Sequence, residues 1–468
     1  SYDADGNLKS LTPPGRPAHT FAYTPVGLQS GYTPPDVGIG LTGTGYTYDS
    51  DRQVTHVSRP DNKALDITYD SAGRPLSLTY SRDTVGYSYD PSSGNLNGIT
   101  APGGANLGFT YNGSLLVNQA LTGPVNGSVS YTYDSSFRRT AVSVNGANPV
   151  SYGYDNDSLL TSAGALTLSR GAENGLLTGS TLGGVTDSYR YNSFGEPISY
   201  TASFNGVPLL SYQYAYDKLG RIITRTESIS GLTDVFVYGY DLAGRLATVH
   251  KNGGLYSTYT YDANGNRLSY SGAHGAASGT YDAQDRMLQY GGASYTYGAN
   301  GEMQSRTVAG QTTNYVYDEL GNLVQVILPD GTNIEYVIDG LNRRIGKKVN
   351  GVLVQGFLYD SQLRIVAELD GAGNLVSRFI YAMHVNVPEY VVKSGATYRI
   401  LSDHLGSPRL VVDVATGHLA QTIGYDEFGQ VRYDTNQGFQ PFGFAGGIDD
   451  THVRLVRYGT RDYDPSTG

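Results

Sequence analysis

The chain contains no cysteine among its 468 residues, so neither a disulfide framework nor a thiolate metal site is available to it. Tryptophan is absent and methionine occurs only 3 times. Lysine is scarce as well, with 7 residues at positions 9, 63, 218, 251, 347, 348 and 393. The net charge of −10 and a pI near 5.2 argue against nucleic acid as a partner, which requires clustered positive charge, and against an anionic membrane surface. No apolar run approaches the roughly 18 residues of a spanning helix. No secretory leader is visible at Ser1.

What is present is equally one-sided. There are 41 Tyr against 12 Phe, and 62 Gly. Tyr, Thr and Val favour strands, while Gly, Asn and Asp favour turns, so the expected class is all-β.

One short unit recurs along the whole chain. It reads Tyr-x-Tyr-Asp in the copies ending Tyr48-Asp49, Tyr89-Asp90, Tyr133-Asp134, Tyr154-Asp155, Tyr216-Asp217, Tyr240-Asp241, Tyr261-Asp262 and Tyr317-Asp318. Single-Tyr copies stand at Tyr2-Asp3, Tyr69-Asp70, Tyr281-Asp282, Tyr359-Asp360 and Tyr425-Asp426. After the Asp come two residues, then commonly Gly, then Asn or Arg. Gly73, Gly220, Gly244, Gly265 and Gly321 occupy that position. The interval between copies is close to twenty residues: Tyr48, Tyr69, Tyr89, Tyr111, Tyr133 and Tyr154 follow one another in this way.

Each position has a physical reading. Tyr-x-Tyr puts two rings on one face of a strand, because side chains alternate. The Asp carboxylate can accept backbone N–H groups of the following turn. Gly supplies the positive φ which that turn needs. The unit is then a hairpin of about twenty residues, which is marginal alone and must stack on its neighbours. Stacking is expected to lay each Tyr on the same Tyr of the next copy. Tyr in place of Phe implies a polar partner or water at one end of each ring. About sixteen hairpins make roughly 32 strands and a strip on the order of 150 Å long. Such a strip twists and exceeds any filled barrel, so a wound wall is expected.

The Tyr-Asp-x-x-Gly-Asn/Arg-Leu ladder resembles the YD repeats of the Rhs family, which includes bacterial Rhs polymorphic toxins, the B and C components of Tc toxins and the teneurin ectodomain. Near the end, Asp403-His-Leu-Gly-Ser-Pro-Arg409, Tyr425-Asp-Glu-Phe-Gly429 and Arg457-Tyr-Gly-Thr-Arg-Asp-Tyr-Asp-Pro-Ser-Thr-Gly468 resemble the start of the Rhs-associated core domain. The resemblance implies a repeat array over 1–400, with insertions at about 10–45 and 160–190, and an incomplete core domain over 401–468. It implies a long, twisted antiparallel sheet wound into a spiral or hollow shell. It further implies a structural role in a secreted or cell-surface bacterial protein, enclosing or carrying a C-terminal toxin or other segments of the same polypeptide. In the family the core domain is an autoprotease. Its site is expected beyond residue 468, so no catalytic residue, cofactor or metal is assigned here. The chain starts mid-repeat and stops within the core motif, so both ends are expected to be internal to a longer protein. The alternative is a cell-surface fibre or adhesin of the same hairpins, binding carbohydrate or other cells.

Other motifs have plainer readings. Asp3-Ala-Asp5-Gly6-Asn7 and Asp262-Ala-Asn264-Gly265-Asn266 look like calcium-loop fragments, but each is the repeat's own turn. Gly38-Ile-Gly40-Leu-Thr-Gly43 lacks the strand–helix context of a dinucleotide site. His404 beside Asp403, and Asp462 with Asp464, are read as parts of the closing region and not as acid–base groups. Asn112 and Asn126 head glycosylation-type tripeptides, yet Asn-Gly is equally a turn signal.

Overall fold

The computed structural model describes residues 1–40 and 43–468. Residues Leu41 and Thr42, in the middle of the Gly38–Gly43 motif, lie outside the described residues. Gly38 and Gly40 both donate backbone N–H groups to the Asp36 carboxylate, which makes that stretch an Asp-centred turn.

Forty-one strands form a single sheet, and a further three form a small separate one near the C-terminus. From Ser10 to Asp434, each strand pairs antiparallel with the strand before it and the strand after it. This is a pure meander. Among the described residues, two short 3-10 turns, Pro102–Gly104 and Phe444–Gly446, interrupt the β structure. Among the described residues, no helix is long and apolar enough to cross a membrane.

The strand count exceeds the number expected from the sequence because some copies have lost the Tyr-Asp pair. Thr24 closes one such turn, accepting Gly27 N–H at 2.9 Å through its carbonyl and Leu28 N–H at 3.1 Å through its hydroxyl. Gly171 closes another, donating to Leu176 O and accepting from Gly175 N–H, each at 2.8 Å. The stretches 10–45 and 160–190 therefore contain paired strands, among them His19–Tyr23, Gln29–Thr33, Leu166–Arg170 and Leu177–Leu182.

A meander places its turns on two opposite edges. The Tyr-Asp turns of the repeat lie on one, here called the near edge, whereas the turns headed by Asp370 and Asp413 lie on the other. The turns between them, such as Asn145-Gly146 and Asn252-Gly253, lie on the far edge. The two faces differ as alternation requires. One carries Tyr, Val and Leu. The other carries hydroxyl pairs across neighbouring strands, such as Thr68 with Ser77 and Thr260 with Ser269, both at 2.6 Å.

The wall winds on itself. Asn264 donates to Pro14 O, Arg59 to Glu319 O, Gln119 to Tyr359 O, Arg378 to Val142 O, and Arg409 to Glu227. The separation along the chain is 236–260 residues for the first four of these and 182 for the last. In each case the far edge of the earlier coil meets the near edge of the later one. About two dozen strands at ~4.8 Å make the first coil roughly 35 Å across. Eight strands fill a barrel, whereas sixteen to eighteen already leave a channel, so this winding is hollow.

The apolar seam between the coils is the main core. Val129, Val142 and Val144 of the first coil pack with Ile345, Phe357 and Phe379 of the second. Further along, Val185 and Leu210 meet Leu401 and Leu410.

Candidate functional site

The repeat turn shows why its residues recur. Asp70 Oδ1 accepts the backbone N–H groups of Ala72 and Arg74 at 2.9 and 3.0 Å. Its own N–H donates to Arg74 O, and its carbonyl accepts Gly73 N–H. The same pair of carboxylate contacts, to the residues two and four ahead, is made by Asp49, Asp134, Asp217, Asp241, Asp262 and Asp318. Asp90 heads a turn one residue longer and takes Ser92 and Ser93. Gly73, Gly220, Gly244, Gly265 and Gly321 all have φ between 75° and 94°. Where glycine is missing the conformation persists: Arg52 has φ 65° and Phe137 has φ 61°.

This asymmetry yields a paired expectation. Gly321 has open space where a Cβ would stand, so Gly321→Ala carries only the left-handed backbone penalty, about 1 kcal/mol or somewhat more. Phe137→Gly removes the same strain and is expected to be neutral or stabilising, because Phe137 is exposed. Chemical denaturation of the two variants reads both signs. A destabilised Phe137→Gly protein would refute this account of the turn.

The tyrosine hydroxyls have specific partners. Tyr69 donates to Val54 O, Tyr89 to Pro75 O, Tyr133 to Leu116 O, Tyr216 to Pro197 O, Tyr240 to Ile222 O and Tyr261 to Leu246 O, all at 2.6–2.9 Å. Tyr48 reaches Gln29 O. Tyr317 packs beside Tyr315 and Leu323 in a core cluster of the second coil. The accepting residue is the one lying opposite the previous repeat's Tyr: Val54 opposite Tyr48, Ile222 opposite Tyr216 and Leu246 opposite Tyr240. There the return strand carries one extra residue, and its carbonyl is left free for the next hydroxyl. Tyr240→Phe is therefore expected to cost about 1 kcal/mol in unfolding free energy, a loss that a merely packed ring would not show.

The rings themselves do not simply stack on their counterparts. The Arg that follows the turn glycine takes that place. Arg74 lies 4.2 Å above the Tyr89 ring, Arg221 lies 4.5 Å above Tyr240, and Arg245 lies 4.7 Å above Tyr261. Each is held by its own Asp, Arg245 Nε to Asp241 Oδ2 at 2.7 Å. The Arg74 side chain, followed by its N–H, holds the Asp70 carboxyl below the usual range. A continuous run of ring-on-ring contacts links Tyr189, Tyr200, Tyr212 and Tyr214, with centroids 4.9–6.3 Å apart, and separate pairs occur elsewhere, such as Tyr259 with Tyr270 at 5.4 Å. Sequence reasoning missed the arginine, although the Asp-x-x-Gly-Arg spacing was the signal for it.

Across the seam, three buried arginines of the second coil reach into the first. Arg378 donates to Val142 O, Arg399 to Asp187 at 2.8 Å, and Arg409 to both oxygens of Glu227 at 2.7 and 2.9 Å. Burial pushes the Glu227 carboxyl up, and the Arg409 guanidinium more than offsets this, holding it below the usual range. His404 is at the same seam, its ring 5.6 Å from Tyr214, and burial keeps its pKa below the ordinary value.

Residues 435–468 leave the meander and cross the Tyr-rich face. They touch Arg267, Asn322, Tyr336, Lys347, Phe379 and Tyr398, which lie on strands spread around much of the second coil. One segment can meet all of these only from inside the curve, so it is an internal strut. Its strands Ile448–Asp450, Leu455–Tyr458 and Arg461–Tyr463 form the small sheet. Asp450 accepts Lys347 Nζ at 2.5 Å and the Tyr336 hydroxyl at 2.7 Å. Asp462 accepts Arg344 at 2.9 Å and Arg457 at 2.8 Å. Asp464 accepts the N–H and hydroxyl of Ser466. Asp462 and Asp464 are thus engaged in separate contacts. Asp464 and Asp449 line one cavity of about 510 Å³, together with Arg306, Tyr315 and Tyr425. Among the described residues, no group of three or more His, Cys, Asp or Glu is placed to hold a metal.

The Teneurin YD-shell family profile matches residues 1–468. The chain is 27% identical to zebrafish (Danio rerio) Teneurin-3 and 25% identical to human (Homo sapiens) Teneurin-4, covering 100% of this chain in both cases but only 18% and 17% of those proteins. It spans less than a fifth of the length of these relatives. Among solved structures, TcdB2-TccC3-TEV superposes with a TM-score of 0.73 at 14% identity, covering 99% of this chain and 28% of that one. TcdB2-TccC3 superposes with a TM-score of 0.55 at 13% identity, covering 96% and 33%. The hairpin ladder, its inward strut and the profile match over every residue agree, and the chain belongs to the teneurin YD-shell family.

Proposed function

We propose that this chain is the wall of a hollow shell that encloses or carries other segments of its own polypeptide, in the secreted Rhs-type arrangement a C-terminal toxin. The observation that carries this reading is the course of residues 435–468, which run inside a winding too wide for its own side chains to fill. The polypeptide is thus already led into the lumen. The role is structural, with residues 401–468 serving as the closing region and no catalytic residue assigned. An acidic, cysteine-free chain of this kind suits a secreted or cell-surface setting.

The test is limited proteolysis of the chain expressed with its native downstream region. Protection of that region until the shell unfolds is the expected result. Digestion of the downstream region while the wall stays intact would overturn enclosure.

A second reading has its own support in the teneurin relatives. Here the array is a cell-surface element that binds carbohydrate or other cells through its exposed hydroxyl-bearing face. Retention on a glycan array or on cells by the purified chain, in the absence of cargo, would favour it.

A further inference from the structure

The far-edge turns Asn145-Gly146, Asn205-Gly206, Asn252-Gly253 and Asn350-Gly351 share one left-handed backbone, with φ between 47° and 82° throughout. They also share a tie to the neighbouring segment. Each Asn N–H donates to a carbonyl there, respectively Ser128 O, Gly184 O, Val235 O and Asn333 O, at 2.7–2.9 Å. In three of the turns the side chain completes the tie. Ser128, Val235 and Asn333 return their own N–H groups to the amide oxygens of Asn145, Asn252 and Asn350 at 2.8, 2.8 and 2.9 Å. Asn205 differs. The N–H of Gly184, which would serve it, crosses the seam instead and donates to Val414 O of the second coil at 2.9 Å. Asn205 is exposed and keeps its backbone bond, but the donor for its amide oxygen has been taken.

A clasped amide is held on the neighbouring segment, away from the nitrogen of the glycine that follows it. An unclasped one is free to turn back onto that nitrogen. Gly206 has no Cβ to obstruct the approach, and the space around it is open. From this we infer that Asn205-Gly206 is a self-modification site of the wall, at which the amide is converted to a carboxylate. The Gly206 nitrogen bonds to the Asn205 Cγ, the Cγ–Nδ2 bond breaks, and Nδ2 leaves as ammonia with the Gly206 proton. Water then opens the resulting imide ring at either carbonyl, giving aspartate or, with the longer backbone, isoaspartate. One water is consumed and one ammonia released. The product places a negative charge, and in the isoaspartate an extra backbone carbon, beside Phe204, whose ring lies against Gly417 of the second coil. The contact that joins the coils thus leaves one turn of its own edge chemically soft. This goes beyond enclosure, and its failure would leave the proposed wall function untouched.

The four turns provide the test within one molecule. The purified chain is aged in mildly alkaline buffer, folded in one arm and unfolded in guanidinium chloride in the other. Peptide mapping by mass spectrometry follows each asparagine, and methylation by an isoaspartate methyltransferase reports the isoaspartate product. In the folded arm Asn205 is expected to react several-fold faster than Asn145, Asn252 and Asn350. In the unfolded arm the gap to Asn350 is expected to close, because both sites are Asn-Gly-Val, at Val207 and Val352. Gly206→Ala, which puts a methyl group beside the attacking nitrogen, is expected to suppress the product at Asn205 and leave the other three rates unchanged. An Asn205 that reacts no faster than Asn350 in the folded protein overturns the proposal. So does a lead that persists in guanidinium chloride, which would place its cause in the local sequence. A Gly206→Ala protein that reacts at the original rate overturns the route through the Gly206 nitrogen.

Discussion

Arg409→Ala is expected to lower the unfolding free energy by about 3–5 kcal/mol. Arg409 is buried, and it grips both oxygens of Glu227 across the seam at 2.7 and 2.9 Å while a third contact reaches the Tyr212 hydroxyl. Removing the guanidinium leaves a buried carboxylate with no counter-charge, and that penalty exceeds the worth of the pair itself. The double variant Arg409→Ala with Glu227→Gln should therefore recover part of the loss. Denaturant unfolding of the two single variants and the double variant measures the coupling directly. Additive effects would show that the pair does not bridge the coils.

The second large effect concerns Asp449 and has the opposite sign. This carboxyl stands on the first strand of the strut. Burial, together with Asp450 and Asp434 nearby, pushes it up to about 6, against the pull of Lys347. Its unfolded value is near 3.8. Below that value it is protonated in both states and costs nothing. As the pH rises through about 6, the folded protein must ionise a group that its surroundings disfavour, and stability is lost. The two-unit gap corresponds to about 2–3 kcal/mol. Asp449→Asn should then stabilise the protein by about that amount at pH 7.5 and by almost nothing at pH 3.5. Thermal melts of both proteins across this range decide the matter. An equal gain at both pH values would show that packing, not charge, is responsible.

Much of the fold was open to reading because every level of the repeat agrees. Tyr69-Asp70 with Gly73 specifies strand, cap and turn in five residues, and the regular recurrence says that each hairpin lies beside the next. Three features were hidden for physical reasons. Copies such as Thr24-Pro-Val-Gly27 and Gly171-Ala-Glu-Asn-Gly175 keep the turn with different caps, so the number of strands came out low. The Arg74–Tyr89 contact joins residues 15 apart on different hairpins, and a motif scan confined to one unit does not see it. The seam joins residues 182 to 260 apart, and no local signal encodes the pairing of Arg409 with Glu227 or of Arg399 with Asp187. Winding could be deduced from length and twist, but not which rung meets which. Asp449 is hidden in the same way, because its environment comes from Asp434 and Lys347 on other strands.

The tyrosine hydroxyls point one way along the chain. In most copies the Tyr that precedes the turn reaches back to a carbonyl on the hairpin before it, among them Tyr48, Tyr69, Tyr154, Tyr240, Tyr281 and Tyr359. Such a ladder has a polarity, like a row of tiles in which each overlaps its predecessor. Hairpins can be added at the C-terminal end during synthesis, each new one finding its acceptor already in place, while the seam waits until about 250 residues have emerged. The two ends of the ladder are accordingly unequal under truncation. Loss of a hairpin from the C-terminal side leaves only an unused carbonyl, which water can serve. Loss from the N-terminal side strands a hydroxyl and its ring on an edge without a partner, so the growing order of the wall is also the order in which it tolerates being shortened.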